Sequence, residues 1–180
     1  AAGYSPEKVT NPEKYLLYND CFTGLMDSTL SGEEGEKYKI CSRKLSRAKK
    51  NETWGDLFET QQALCDVLIL KSDLGVRTRM AYEQNDKEEL MNIIKDYKKV
   101  EKKLEKYYLV YREQWMKENK SHGFDIQDIR LGGLMCRVKH CRERLEEYIS
   151  GKTLMIEELE EKQLDVLGGG EVMERKHTDY

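Results

Sequence analysis

Between Asp125 and Ser150 the apolar residues Leu131, Leu134, Val138, Cys141, Leu145 and Tyr148 follow one another in unbroken steps of three, four, three, four and three. Only an α-helix, with about 3.6 residues per turn, gathers such a set onto one stripe. Inside it stand two adjacent glycines, Gly132 and Gly133, each of which costs a helix interior about 0.5–1 kcal/mol relative to alanine. The intact stripe argues against a break at this point. Close approach of another backbone is the expectation that remains, with a second helix of the same bundle as the favoured neighbour.

The same periodicity recurs along most of the chain. Tyr38, Cys41, Leu45 and Ala48 predict a helix over about 33–50. A helix over about 54–84 carries Trp54, Leu57, Phe58 and the run "ALCDVLILKSDLG", apolar on more than one face and therefore central. Asn51 or Thr53 is its expected cap. Asp86, followed three residues later by Glu89, predicts a capped start for a helix over about 87–118, with Leu90, Ile94, Tyr97, Leu104, Tyr108, Tyr111 and Trp115 on its stripe and Tyr107 off it. Gly151 suits the stop of the helix that begins near Asp125. "TLMIEELEEKQLDVL" predicts one shorter helix. The expected fold is all-α, an antiparallel bundle of about four long helices plus a short C-terminal one. Residues 1–30 read as an irregular or short-helical lead-in, 31–167 as the bundle and 168–180 as a flexible tail.

Composition narrows the function classes. Acidic residues number 34 against 31 basic, a net charge of −3, so nothing electrostatic argues for a nucleic-acid partner. No apolar run has the length of a membrane span. The five cysteines, Cys21, Cys41, Cys65, Cys136 and Cys141, are odd in number and lack a Cys-Xaa-Xaa-Cys pair. They read as reduced, mostly buried thiols of a cytoplasmic protein, with any targeting segment ahead of residue 1 out of sight.

Chemical motifs are sparse. Cys136, His140 and Cys141 sit within one helix without the second ligand cluster that a zinc site requires, so no metal or other cofactor is expected. "LGGG" at 167–170 follows no predicted strand, so it is no phosphate loop. Asp125 and Asp128 read first as caps of the helix after Phe124. Two segments resist a packing-only reading. One is the lead-in "YLLYNDCFTGL". The other is "GFDIQDIRLGG", where Asp125, Gln127, Asp128 and Arg130 interleave with Phe124, Ile126 and Ile129 as though covered on two sides.

Those segments, "NPEKYLLYNDCFTGLMD" and "HGFDIQDIRLGGL", together with "LGVRTRMAY", "W-x2-EN" at 115–119 and "RLEEYISGKTLMIEELEE", resemble the C-terminal helical domain of bacterial family-20 glycoside hydrolases, the β-N-acetylhexosaminidases. The likeness runs over about residues 11–165, with Cys21 and Ser121 standing where it leads one to expect proline. It implies a parent that acts on N-acetylhexosaminides by substrate-assisted catalysis, with an Asp–Glu pair on a (β/α)8 barrel of about 250 residues. This chain carries no such alternation of strands and helices, so by itself it is expected to be inactive. The implied role is to pack on the barrel of the same polypeptide and to support a homodimer or the active-site rim. Tyr18, Asn19 and Asp20 are the expected barrel contacts. Phe124, Asp125, Gln127, Asp128 and Arg130 are candidates for the same interface or the substrate rim, and Arg77 and Arg79 for an interdomain salt bridge, a solvated face being the equal alternative for that pair. The reading from another class is a stand-alone helical interaction module.

Overall fold

The protein is described here by a computed structural model covering residues 12–163; the predicted tail and the "LGGG" stretch lie outside these. Its elements are α1 (Pro12–Tyr18), a 3-10 turn (Asp27–Thr29), α2 (Glu34–Ala48), α3 (Gly55–Lys71), α4 (Leu74–Glu83), α5 (Lys87–Glu118), α6 (Phe124–Ile149) and α7 (Glu157–Glu160). Among the described residues there is no strand. The fold is the expected all-α bundle. The central α3 packs on α2, α5, α4 and α1, and α5 packs on α6 and α4. Val67, Leu68, Leu90, Ile93, Tyr97, Leu104, Leu131 and Leu145 form the heart of the core.

Local chemistry sets the ends of these helices. Asp86 Oδ1 accepts from the Glu89 N–H at 3.0 Å, starting α5 as its sequence predicts. Asn51 Oδ1 accepts from the Thr53 and Trp54 N–H groups and turns the chain into α3. At the end of α6, Gly151 takes φ +77°, its N–H bonding to the Tyr148 carbonyl while the Lys152 N–H reaches back to that of Glu147. This is the paired pattern that closes a helix with a left-handed glycine. The start of α6 is instead Gly123, at φ +94°, and Asp125 turns back to accept from the Gly123 N–H.

The structure departs from the sequence reading in four places. The helix expected over 54–84 is two, because Ser72 and Asp73 end α3 and begin α4. The side chains there do not cap the break, since the Ser72 hydroxyl has no hydrogen-bond partner among the described residues and Asp73 pairs with Arg77. The reorientation is a tertiary one that presses Gly75 against the lead-in, where a Cβ would stand 3.1 Å from the Cys21 carbonyl oxygen. The lead-in over 12–30 holds the short helix α1 and the 3-10 turn, with Leu16, Leu17, Cys21 and Phe22 in the common core. The terminal short helix shrinks to α7, four residues long, held by buried Ile156 and Leu159. On α5 the buried line runs through Val100 and Tyr107 in place of Glu101 and Tyr108, since a strict seven-residue repeat drifts around a helix of about 3.6 residues per turn. Tyr107 is 8% exposed and stacks on Tyr111 at 5.8 Å. All five cysteines are free, but Cys41 and Cys136 are exposed, Ser42 taking the inward position on α2 with its hydroxyl on Asp66 at 2.6 Å.

The two glycines of α6 also differ from expectation. A Cβ at Gly132 or Gly133 would meet nothing within 4 Å, so neither serves a close helix contact. Close approach belongs instead to Gly75 and to Gly35, whose Cβ would lie 2.9 Å from the Ile69 carbonyl oxygen. Gly132→Ala and Gly133→Ala are therefore each expected to raise stability by about 0.5–1 kcal/mol in urea unfolding. A loss of stability in either variant would mean that a neighbour occupies the space beside it.

Candidate functional site: the seam between the lead-in and α6

Where the lead-in meets α6, the sequence-predicted residues Tyr18, Asn19 and Asp20 come together with Arg137, which sequence reasoning did not single out. Asp20 Oδ2 accepts from Arg137 Nε at 2.6 Å and Oδ1 from the second guanidinium nitrogen at 3.0 Å, a forked pair. Oδ1 also accepts the Phe22 and Thr23 backbone N–H groups. Burial alone would raise the Asp20 pKa; the bonds from Arg137 and these two amides outweigh it and hold the carboxyl at about 2. The same Arg137 nitrogen reaches Glu158 Oε1 at 2.6 Å, and its guanidinium lies 5.4 Å over the Phe22 ring. Asn19 is spent locally, donating to Asp27 and accepting from the Met26 N–H.

Lys71, the last residue of α3, is 3% exposed and equally unforeseen. Its ammonium donates to the Leu16 and Asn19 carbonyls at 3.2 and 2.7 Å, so a cation closes the negative end of α1. A lysine ending the run "VLILK" was the one available signal. Between Lys71, Arg137 and Gly133 the structure leaves a half-open cavity of about 160 Å3. The buried thiols Cys21 and Cys141 border it, and burial pushes both up in pKa, so they stay protonated and inert.

A short distance along α6 lies the second predicted cluster. Phe124 is buried in an aromatic group with Tyr108, Tyr111 and Trp115, at ring separations of 6.0, 5.7 and 5.7 Å. Asp128 accepts from the Tyr108 hydroxyl at 2.9 Å rather than capping α6. Gln127 is half-buried, and Asp125 and Arg130 are exposed. Ile126 and Ile129 are 46% and 74% exposed. With Arg130, Gly133 and Arg137 they fall on one face of α6, at spacings of three, one, three and four. Tyr18 stands near Arg130 and Tyr111, which joins the two clusters along that face.

The two remaining candidates turn inward. Arg77 pairs with Asp73 and Asp96 at 3.3 and 3.0 Å. Arg79, 8% exposed, donates to four carbonyl oxygens: Phe22 at 2.7 Å, Leu159 at 2.8 Å, Glu158 at 3.2 Å and Glu161 at 3.3 Å. It stitches the lead-in to the C-terminal segment and offers no guanidinium edge to another domain. Among the described residues no group of three or more His, Cys, Asp or Glu is placed to hold a metal ion. No described helix is long and apolar enough to cross a membrane.

The fold is a helical bundle whose seam uses polar groups to bind the chain's own segments, and beside it Ile126 and Ile129 lie exposed on α6. The family model for the Glycoside Hydrolase 20C C-terminal domain matches residues 4–177, and the chain belongs to that family. No match to a curated protein was found.

Proposed function

We propose that the chain is the non-catalytic C-terminal domain of a β-N-acetylhexosaminidase, packing on the catalytic barrel of the same polypeptide through the outward face of α6. The observation that carries this reading is the pair Ile126 and Ile129, exposed side by side beside two glycines that have open space around them. An isolated exposed isoleucine is ordinary, but two of them one turn apart on the same helix face favour a surface that another body covers. The family supports this reading, since its model is named for a C-terminal domain of a family-20 glycoside hydrolase, and that enzyme's barrel is the neighbour proposed. Tyr18 and Arg130 border the same face, and a homodimer formed around it would bring two such domains beside two barrels.

Two measurements test this. The chain alone is expected to release no nitrophenol from a nitrophenyl N-acetylglucosaminide, and clear turnover would overturn the non-catalytic role. Mixed with a separately produced catalytic barrel of a family-20C enzyme, it is expected to associate. Ile129→Glu should weaken that association by about tenfold or more, the effect of placing an unpaired charge in an apolar contact, with helix content unchanged. Equal binding by the variant would place the interface elsewhere.

A further inference from the structure

The cavity between α1, Lys71 and α6 has an unequal supply of hydrogen-bonding groups. Its strongest acceptor is heavily engaged: Asp20 takes four donors, three of them on Oδ1, and the Asn19 carbonyl takes Lys71. Donors are left over. An ammonium has three N–H groups and Lys71 uses two; a guanidinium has five, and one terminal nitrogen of Arg137 has no acceptor among the described residues. The Lys71 ammonium, almost wholly buried, is hydrogen-bonded among the described residues to the Leu16 and Asn19 carbonyls alone, with the Asp27 carboxylate acting on it from further off. A buried cation without a directly bonded anion is incompletely compensated. The remaining wall is apolar, made by Leu134 and Val138, and the missing side chain of Gly133 keeps the mouth open. A volume of about 160 Å3 holds a handful of non-hydrogen atoms beyond a single water, whose share of liquid is about 30 Å3.

We propose that this cavity is a binding site for a short-chain monocarboxylate, its two oxygens received by Lys71 Nζ and the free nitrogen of Arg137 and its alkyl end set against Leu134 and Val138. An acceptor-only head answers the surplus of donors, and a short tail answers the apolar wall. The cavity shares Gly133 and Arg137 with the α6 face proposed to meet the barrel, so it is tested on the chain by itself, where a failure of propionate binding and a failure of barrel association are read separately.

Propionate is the probe, titrated at constant ionic strength into the 180-residue chain while backbone amide NMR signals are followed. Saturable shifts confined to residues 18–21 and 133–138 are expected, with a dissociation constant on the order of millimolar. Propylamine should produce none. Gly133→Leu has open space for its side chain at the mouth and should weaken propionate binding by about tenfold or more with helix content retained. Lys71→Met should abolish it, and since that variant risks the fold, Gly133→Leu is the deciding one. Shifts that never saturate or spread over the surface, equal binding of propylamine, or unchanged affinity in folded Gly133→Leu would each overturn the proposal.

Discussion

Replacing Arg79 by methionine is expected to lower the stability of the chain by about 3 kcal/mol, read as a shift of the urea midpoint. The guanidinium is buried and donates to carbonyls of both the lead-in and the C-terminal segment. Methionine keeps much of the volume but leaves four carbonyl oxygens without their donor, and hydrogen bonds to a charged group are worth about 1.5–3 kcal/mol each before non-additivity. Arg79 also carries a cost of its own, because its Nε is buried without a partner. That cost disappears with the side chain and keeps the net loss below the sum of the four bonds. Arg79→Lys should recover only part of the loss, since a compact ammonium cannot span four acceptors as a planar fork does. The same variants should expose the chain after residue 153 to limited proteolysis. A change below about 1 kcal/mol in Arg79→Met would show that apolar contacts of Ile156 and Leu159 hold that segment unaided.

The second large effect is a dependence on acid. Asp20 has a folded pKa of about 2 against an ordinary value of 3.8. A carboxyl depressed by folding contributes stability that is complete above the unfolded value and disappears as the pH falls through the folded one. The window is thus about pH 4 down to pH 2, and the contribution above it is about 2 kcal/mol. Other carboxylates titrate in the same range, so the informative quantity is the difference between wild type and Asp20→Asn. That difference should be about 2 kcal/mol at pH 7 and should shrink steadily below pH 4. A difference near zero at pH 7 would mean that Asp20 acts only through the Phe22 and Thr23 turn bonds, which asparagine can still accept, and a difference that stays constant to pH 2 would mean that its charge is not what Arg137 reads.

Much of this architecture could be read from periodicity, and the reason is local. In α5 and α6 the apolar spacing, the Asp86 cap and the Gly151 stop all agree, so neighbours in sequence specify the element. The break at Ser72–Asp73 was hidden because apolar residues continue on both sides, and only the demand of Gly75 and Arg79 for the lead-in fixes the turn. The lead-in itself has too few residues per element to show a period; α1 exists because Lys71 and the core receive it. For the candidate site, the segments around Asp20 and Phe124 were visible as irregular mixtures of polar and apolar residues. Arg137 and Lys71 were not, because a cation on a charged helix looks solvated until its distant partners are known.

Those distant partners have a consequence for how the chain is made. Gln163 donates to the Gly24 carbonyl and to Asp27, Arg79 reaches Leu159, and Arg137 reaches Asp20. Helices α2 through α6 pack largely on sequence neighbours and can assemble as they leave the ribosome. The N-terminal turn cannot be sealed until the segment around 156–163 has also emerged, for Gly24 and its partner Gln163 stand 139 positions apart in the chain. Vectorial synthesis therefore leaves the beginning of this domain open longest, although it is the first part to appear.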